Sequence, residues 1–351
     1  MTAALIVVQP GLHTTVQDGG RIGAQAFGVP VSGALDPDQL RLANALVGNA
    51  AGEAALEILH VGPVLEVAAP GVRVALAAFD GALVLETADG RTVPAWRSVT
   101  LREGDRLRVV APRHAACAYL AVEGGFDLPP VLGSRSTYGR GGFGGFQGRA
   151  LAAGDRLPLC RERASERGDL RLPDPPAAGD GPLRVVLGPQ DDRFTPEAIA
   201  TFFASDYTVA PAADRMGVRL DGPSLAHRGG HDIVSDGTAW GAIQVPGDGR
   251  PVLLLADRQT TGGYPKIGAV CTADLPRAGR LRPGDRVRFA AVGVEQAQAL
   301  RRAHEAMLKR LLAGMVPADA RVVDLEALYA ANLVSGAVSG FEWDDADAAV
   351  G

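Results

Sequence analysis

The sequence predicts a mainly β chain with a few helices, divided into two domains. Three observations carry that expectation. Gly (45) and Pro (24) are abundant among 351 residues without a collagen-like period, so the chain must turn often. Short apolar runs alternate with turn signals from Ala54 to about Val110. A charged, Pro-rich stretch almost free of apolar residues, 161–182 (RERASERGDLRLPDPPAAGDGP), reads as a linker.

Domain one is then 1–160, and domain two 183–292. ALIVVQ (4–9) reads as the first strand, and a polar Gly-rich stretch follows to Gly33. Asp36 at an N-cap and Pro37 at the first helical position open a helix that stops near Gly48. EAALEIL, VLEVAA, VRVALAA, ALVLET and RLRVVA then read as strands, with Asp80-Gly81 and Asp89-Gly90 among the turns. In domain two, LRVVLGP is a strand, and Thr195-Pro196-Glu197 opens a helix through IATFFAS. Residues 295–313 form an amphipathic helix. A short helical piece after Pro317 and a frayed acidic end complete the region 293–351.

A short phrase recurs. Leu101-Arg-Glu-Gly-Asp-Arg-Leu, Leu151-Ala-Ala-Gly-Asp-Arg-Leu and Leu281-Arg-Pro-Gly-Asp-Arg-Val each lead into an apolar run. A common β-turn explains the phrase by itself. Shared context upstream of the second and third copies also raises an internal duplication of a β-barrel-like unit.

Composition excludes several function classes. Hydrophobic residues make up 47% and aromatics 5%, so the core is built from Ala, Val and Leu. A net charge of −5 without a Lys/Arg-rich block argues against nucleic-acid binding. The apolar runs are too short and interrupted for a membrane span, and the N-terminus lacks the positive region of a signal peptide. Cys117, Cys160 and Cys271 are far apart with no C-x-x-C, which fits free thiols in a reducing cytoplasm. A cytoplasmic location is expected.

Of the 35 basic residues all but Lys266 and Lys309 are Arg. A GC-rich genome trades Lys for Arg wherever either serves, so a retained Lys marks a place where Arg would not. Lys266 closes the segment Asp257-Arg258-Gln259-Thr260-Thr261-Gly262-Gly263-Tyr264-Pro265-Lys266, directly after the apolar run VLLLA. So many reactive groups within ten residues exceed what a turn requires. Further polar groups sit beside glycines at run ends: Gln190, Asp191 and Asp192 after Gly188, Asp214 and Arg215 before Gly217, and Gln244 after Ser235-Asp236-Gly237. In domain one, Thr14-Thr15-Val16-Gln17-Asp18-Gly19-Gly20-Arg21 offers hydroxyls, a carboxylate and a guanidinium, or a hairpin surface with an Asp–Arg pair.

Two motifs are set aside. Gly139-Arg140-Gly141-Gly142-Phe143-Gly144 matches G-x-G-x-x-G but follows no clear strand and opens no helix, so a dinucleotide site is not expected. His227 and His231 have i,i+4 spacing, but two glycines between them spoil the helix that would align the rings. No metal site is expected.

The phrases PGLHTTVQDGGRIGAQAFGVPVSGALD, GPQDD, DRMGVRL, GAIQVPGDGRPVLLLADRQTTGGYPKIG and LRPGDRVRF resemble the biotin-dependent carboxyltransferase family, also called allophanate hydrolase subunit 2. The resemblance runs from about residue 5 to 290 and is strongest to the standalone C subunit of 5-oxoprolinase. It implies two cyclophilin-like β-barrel domains, a partner B subunit of similar fold and an A subunit. No biotinyl A-M-K-M sequence or recognisable ATP-binding domain is present, which favours 5-oxoprolinase over urea carboxylase. The implied reaction converts 5-oxoproline, ATP and water to glutamate, ADP and phosphate, with ATP and Mg acting through the complex. Lys266 and Arg258 are then assigned to anionic groups, and Asp257 or Asp191 to proton transfer or to a metal brought by the complex. Gln190, Gln244, Thr260, Thr261 and Tyr264, with Asp214, Arg215, Asp18 and Arg21, would bind substrate. Two other readings stay open. One is a carboxyltransferase that takes carboxylate from a biotin carrier and acts on urea or a related amide. The other is a regulatory binding protein that antagonises a kinase-inhibiting partner.

Overall fold

The computed structural model describes residues 2–86, 90–110 and 115–318. The expected helical piece after Pro317, the acidic end, Asp89 and His114 lie outside them. Among the described residues, the first half holds a six-stranded and a seven-stranded sheet, and the second an eight-stranded, strongly curved sheet with a separate two-stranded ribbon.

In the first half, Ala4–Gln9 lies in a six-stranded sheet and His13–Gln17 begins a seven-stranded one. Strand Cys117–Val122 shows how they pack. Ala118, Leu120 and Val122 join the core between the two sheets, with Leu5, Val7, Leu65 and Val74. Cys117, Tyr119 and Ala121 face the other way, towards helix α1 (Pro37–Val47). Burial on both faces explains why this strand reads as an unbroken apolar run. Helix α1 begins as expected. The Asp36 carboxylate accepts from the amides of Asp38 and Gln39, both at 3.0 Å, and Gly48 ends the helix at φ 77°. The polar, Gly-rich stretch 10–33, whose Thr14–Arg21 part reads in sequence as a functional cluster or a hairpin surface, contains the buried strand His13–Gln17, which pairs with Ala55–Leu59. Its polar side chains hid the strand: Thr14, Thr15 and Gln17 are buried by hydrogen-bonded partners rather than by apolarity.

The second half forms an eight-stranded sheet. Its two edge strands, Arg286–Val287 and Phe289–Ala291, are separated by one residue. The first pairs with Tyr207–Ala213 and the second runs parallel to Leu183–Leu187, so the sheet nearly closes into a barrel. It is the one barrel-like sheet among the described residues, where the resemblance implied two discrete barrels. The first half stays open because its strands divide between two separate sheets. Helix α2 (Pro196–Ala204) is capped by Thr195, and Phe202 stacks on Phe289 at 4.6 Å. Helix α3 spans Leu275–Gly279, and α4 spans Val294–Ala313.

The recurring phrase is one structural device used three times. Gly104, Gly154 and Gly284 adopt φ of 83°, 88° and 88°. Each donates its amide to a strand carbonyl, on Val67, Val7 and Val209 respectively. The next residue, Asp105, Asp155 or Asp285, receives that Val's amide on its own carbonyl. Its side chain accepts the amide three residues back, at 2.7, 2.7 and 2.8 Å. A side chain would be strained at that glycine's φ, which explains why all three copies keep Gly-Asp.

The stretch 161–182 is held against the first half. Arg73, 3% exposed, pairs with Glu123 at 2.5 Å and Asp169 at 2.9 Å and also meets the carbonyls of Ser165 and Arg167. Leu170–Arg171 adds a short strand to the seven-stranded sheet. The three cysteines are free thiols.

Candidate active site

The strand Val252–Leu254 pairs with Gly217–Asp221, and the turn that follows it carries Asp257 into a cleft of about 370 Å³. Both halves line it. His13, Thr15, Gln17 and Thr137 come from the first, and Asp214, Arg215, Met216 and Asp257 from the second.

Arg215 organises the floor. Its Nε and Nη2 donate to the two oxygens of Asp257 at 2.9 and 3.0 Å. Nη2 also reaches the carbonyl of Gly33 at 2.6 Å, and Nη1 meets Glu57 Oε1. Glu57 is fully buried; its other oxygen accepts from Tyr119 Oη at 2.5 Å and from the Leu35 amide at 2.9 Å. Burial opposes the charge on Arg215, but Glu57 and Asp257 outweigh it and hold the guanidinium more basic than usual. Burial and Glu57 together push the Tyr119 hydroxyl well up, which keeps it a donor. Bidentate contact fixes the plane of Asp257 while using only two of a carboxylate's four lone-pair directions. Asp257 is therefore a held acceptor beside the cleft.

A second polar group gathers around Lys266. The strand Lys266–Val270 pairs with Ala242–Gln244, and Gln244 lies opposite Lys266. Lys266 is 2% exposed, and its Nζ has no hydrogen-bond partner; the nearest carboxylate oxygen, Oδ2 of Asp236, is 3.4 Å away. Gln190 brackets this lysine: Gln190 Oε1 accepts from the Lys266 amide at 3.1 Å, and Gln190 Nε2 donates to Asp236 at 3.1 Å. The Gly237 amide, Gln190 and Lys266 together hold the Asp236 carboxyl below its usual range. Gln244 Oε1 accepts from Gln259 Nε2 at 2.8 Å, leaving Gln244 Nε2 buried without a partner. Two buried donors, Lys266 Nζ and Gln244 Nε2, thus stand on paired residues without a hydrogen bond, Lys266 keeping only its 3.4 Å ion pair with Asp236. Such groups are rare in folded proteins and call for an acceptor.

Gln244, Gln259 and Tyr264 line an open groove of about 270 Å³. Asp214 and Met216 line this groove and the Asp257 cleft alike, so one turn borders both. Arg140 pairs with Asp214 across that border at 3.0 Å.

The structure thus brings Gln190, Gln244 and Lys266 together, and joins Arg215 to Asp257 beside Asp214. The other expected residues are placed differently. Asp18 accepts from Ser134 Oγ (2.7 Å), Ser136 Oγ (2.5 Å) and the amides of Gly20 (2.8 Å) and Arg135 (2.5 Å), so it pins the 134–136 loop. Arg21 is 1% exposed; Nη2 meets the Ser136 carbonyl, while Nε and Nη1 have no partner. Burial pushes its pKa down, against the pull of Asp18 and Asp257. Arg258 turns its guanidinium to the carbonyls of Thr238 (3.3 Å) and Leu255 (3.4 Å), and burial lowers its pKa. Asp191 begins a single 3-10 turn after Pro189. Thr261 sits in a two-stranded ribbon with Asp236–Gly237, and Thr260 receives the Thr238 amide on its carbonyl. Sequence reasoning missed Glu57, Tyr119, His13 and Asp236. Only Asp236 carried a signal, as the acid beside Gly237 in a polar run.

Among the described residues, no group of three or more His, Cys, Asp and Glu could hold a metal ion. His227 Nε2 lies 3.0 Å from the Val245 carbonyl. Residues 139–144 form turns, not a helix N-terminus. No described helix is long and apolar enough to cross a membrane.

The chain resembles known proteins in sequence and fold. The family described as carboxyltransferase domain, subdomain A and B, matches residues 27–291. The chain is 36% identical over 311 residues to the C subunit of 5-oxoprolinase from Escherichia coli (strain K12), covering 88% of this chain and 97% of that protein. It is 32% identical to urea amidolyase of Saccharomyces cerevisiae, covering 88% of this chain but 18% of that much longer one. The solved Kluyveromyces lactis urea amidolyase superposes with a TM-score of 0.78 at 31% identity, over 88% of this chain and 20% of that one. The chain belongs to the carboxyltransferase-domain family, subdomains A and B.

Proposed function

We propose that this chain is the C subunit of an ATP-dependent 5-oxoprolinase, hydrolysing 5-oxoproline to glutamate in the cytoplasm with partner A and B subunits. Similarity along nearly the whole of the Escherichia coli protein supports the reading. The observation that carries it is the pair of buried, unpartnered donors at Lys266 Nζ and Gln244 Nε2. A small cyclic amide with a carboxylate supplies the two acceptors they lack.

The roles follow from chemistry. Lys266 takes an anionic group, either the substrate carboxylate or a phosphate oxygen, because a buried ammonium whose one carboxylate neighbour, Asp236, is half-exposed and 3.4 Å away has donor capacity left over. Gln190, Gln244, Thr260, Thr261 and Tyr264 orient the lactam, and Asp257, fixed by Arg215, moves the proton during ring opening. An unactivated amide resists water at neutral pH; ATP with Mg, held in the complex, supplies the activation of its oxygen.

The test mixes this chain with its cognate A and B subunits and measures glutamate release from 5-oxoproline with and without ATP. Turnover should require ATP and fall at least a hundredfold in Lys266→Ala. Full activity in that variant, or no ATP-dependent turnover from an assembled complex, would overturn the assignment.

Similarity to the Kluyveromyces lactis urea amidolyase favours a second reading, carboxyl transfer from a biotin carrier to urea or a related amide. Carboxylation of urea by this chain with a carboxybiotinyl donor would support that one instead.

A further inference from the structure

One carboxylate already stands at the Lys266 site. Asp236 Oδ2 lies 3.4 Å from Lys266 Nζ and accepts from Gln190 Nε2 at 3.1 Å. Its other oxygen, Oδ1, accepts from the Gly237 amide at 2.7 Å. One oxygen thus faces two donors of the site, and the other is bound within its own turn. The Gly237 amide, Gln190 and Lys266 hold this carboxyl below its usual range, so it is ionised at neutral pH. The geometry is that of a ligand carboxylate held by one oxygen, supplied here by the chain itself.

The fit is incomplete. Lys266 Nζ makes no hydrogen bond, so its contact with Asp236 is an ion pair only. Gln244 Nε2, on the residue paired with Lys266, receives nothing from Asp236 and stays without an acceptor. The two partners of the ion pair are also unequally buried: the Lys266 side chain is 2% exposed and that of Asp236 is 54% exposed. Water can solvate the carboxylate wherever it turns, whereas the ammonium has no such alternative.

The surroundings make Asp236 exchangeable. Its backbone is fixed by pairing with Gly262 in the two-stranded ribbon. Leaving the site therefore needs only rotation of a short side chain, with water replacing the contacts it gives up. Gln190 stays behind, because its Oε1 accepts from the Lys266 amide at 3.1 Å and keeps Nε2 aimed at the same place. Rotation of Asp236 thus uncovers a preformed anion subsite rather than dismantling one.

We propose that Asp236 is a specificity-determining residue: its carboxylate fills the anion subsite of Lys266 and Gln190 in the free chain, and only a ligand with a carboxylate of its own displaces it. One oxygen of that ligand replaces Oδ2 between Lys266 Nζ and Gln190 Nε2, and its second oxygen meets Gln244 Nε2. A neutral amide brings nothing that can exchange with an ion pair at a buried ammonium, so it is kept out of this subsite. The inference rests on the reading of Lys266 as the anion-binding group and deepens it. It gives the subsite to the carboxylate of a lactam acid rather than to a phosphate oxygen, and it separates such acids from neutral, urea-like amides. Affinity for the acid is lowered by the fraction of molecules in which Asp236 holds the subsite, so removing the competitor raises it.

The test is calorimetric titration of the full chain with 5-oxoproline, 2-pyrrolidinone (the same lactam without the carboxylate) and acetate (a carboxylate without the lactam). Asp236→Ser should bind 5-oxoproline and acetate at least fivefold more tightly than wild type and leave 2-pyrrolidinone unchanged. Asp232→Ser removes an equal charge from an exposed residue of the same loop and should bind all three as wild type does, which separates displacement of a contact from a general change of field. Adding Lys266→Met to Asp236→Ser should abolish the gain. Melting curves check that each variant is folded. Equal or weaker binding of both acids by Asp236→Ser overturns the proposal. So does an equal gain for 2-pyrrolidinone, or the same gain in Asp232→Ser. ATP-dependent glutamate release by the assembled complex, with a KM for 5-oxoproline that Asp236→Ser does not lower, sinks this inference and leaves the 5-oxoprolinase reading standing. A gain for acetate with none for 5-oxoproline supports the displaced carboxylate and removes the lactam.

Discussion

Replacing Lys266 by Met separates what the site costs from what it does. Lys266 is 2% exposed, and its Nζ makes no hydrogen bond. Its single carboxylate neighbour, Asp236, is 3.4 Å away with a side chain 54% exposed. Water screens that attraction, while the desolvation of the ammonium is nearly complete. A buried donor left unmade costs about 1–3 kcal/mol, and more when charged. Met keeps most of the stem's volume and its flexibility while removing the charge. Swapping buried charge for well-packed apolar groups is often neutral or stabilising by about 1–4 kcal/mol. Lys266→Met should therefore be more stable than the wild-type chain by about 1–3 kcal/mol. At roughly 2–4 °C per kcal/mol for a chain of somewhat smaller size, Tm should rise by several degrees.

The same substitution removes the donor meant for the anionic group, so turnover in the assembled complex should fall at least a hundredfold. A chain that becomes more stable as it loses activity is the expected signature of a group kept for binding. The assay is differential scanning calorimetry on the chain, paired with glutamate release from the complex. A loss of stability greater than about 1 kcal/mol in the Met variant would refute the reasoning. It would mean that Nζ already has a structural partner and that its burial is ordinary scaffolding.

Arg215 should behave in the opposite way: Arg215→Met strands Glu57 and Asp257 as buried, unpaired carboxylates and should cost about 3–5 kcal/mol. A double-mutant cycle with Glu57→Gln, read by urea unfolding, should show strong coupling; additive effects would deny the contact. A Cβ at Gly262 would lie 2.2 Å from Gln244 Nε2, the end of a movable side chain. Gly262→Ala should thus change stability by less than about 1 kcal/mol yet raise KM for the lactam severalfold, and an unchanged KM would take Gln244 out of the substrate site. His304 Nε2 sits 2.9 Å from Asp38, which raises the imidazole's pKa; burial opposes this, and Glu305 and Asp36 add to it. Burial pushes Asp38 upwards too, with Arg280 and His304 opposing. The raised His304 value means its stabilisation is fully present below about pH 6.5 and is lost as pH rises through the folded-state value. The Tm difference between wild type and His304→Gln should shrink between pH 6 and 9, and a difference that grows would contradict the ion pair.

Much of the scaffold was legible because it obeys local rules. Asp36 and Thr195 cap the helices they were expected to cap. The Gly-Asp phrase is a turn whose φ and side-chain bond are both written in two adjacent residues. Lys266 was singled out by the near absence of lysine, and the structure buries it with an ammonium that makes no hydrogen bond. The strand His13–Gln17 was hidden because its buried residues are polar, and burial by hydrogen bonding leaves no alternation to read. Glu57 was hidden for a related reason. In Ala55–Leu59 it looks like one polar residue of an ordinary half-exposed strand. Its partner Arg215 is 158 residues away, and spacing says nothing about pairings made by tertiary packing. The expectation of two barrels failed in the first half for want of any local sign of sheet closure. In the second half, closure depends on edge strands one residue apart that pair with different neighbours.

The charges between the halves explain why the cleft needs both. Arg215, from the second half, directs one nitrogen to Asp257 alone, one to Glu57 and the third to Asp257 and Gly33 together. Arg280 reaches Asp36 at the start of α1, and Glu305 on α4 pairs with Arg41. Asp257 therefore takes its orientation from a guanidinium that is itself oriented by the first half. A buried carboxylate held in this way reorganises little when charge moves beside it. Lys266 and Gln244 are held by a different principle: their strands fix the backbone, but their donor atoms are left without partners. One group is satisfied and rigid, the other unsatisfied and ready. The division matches the requirements of a reaction in which a proton acceptor must stay in place while a substrate is captured and later released.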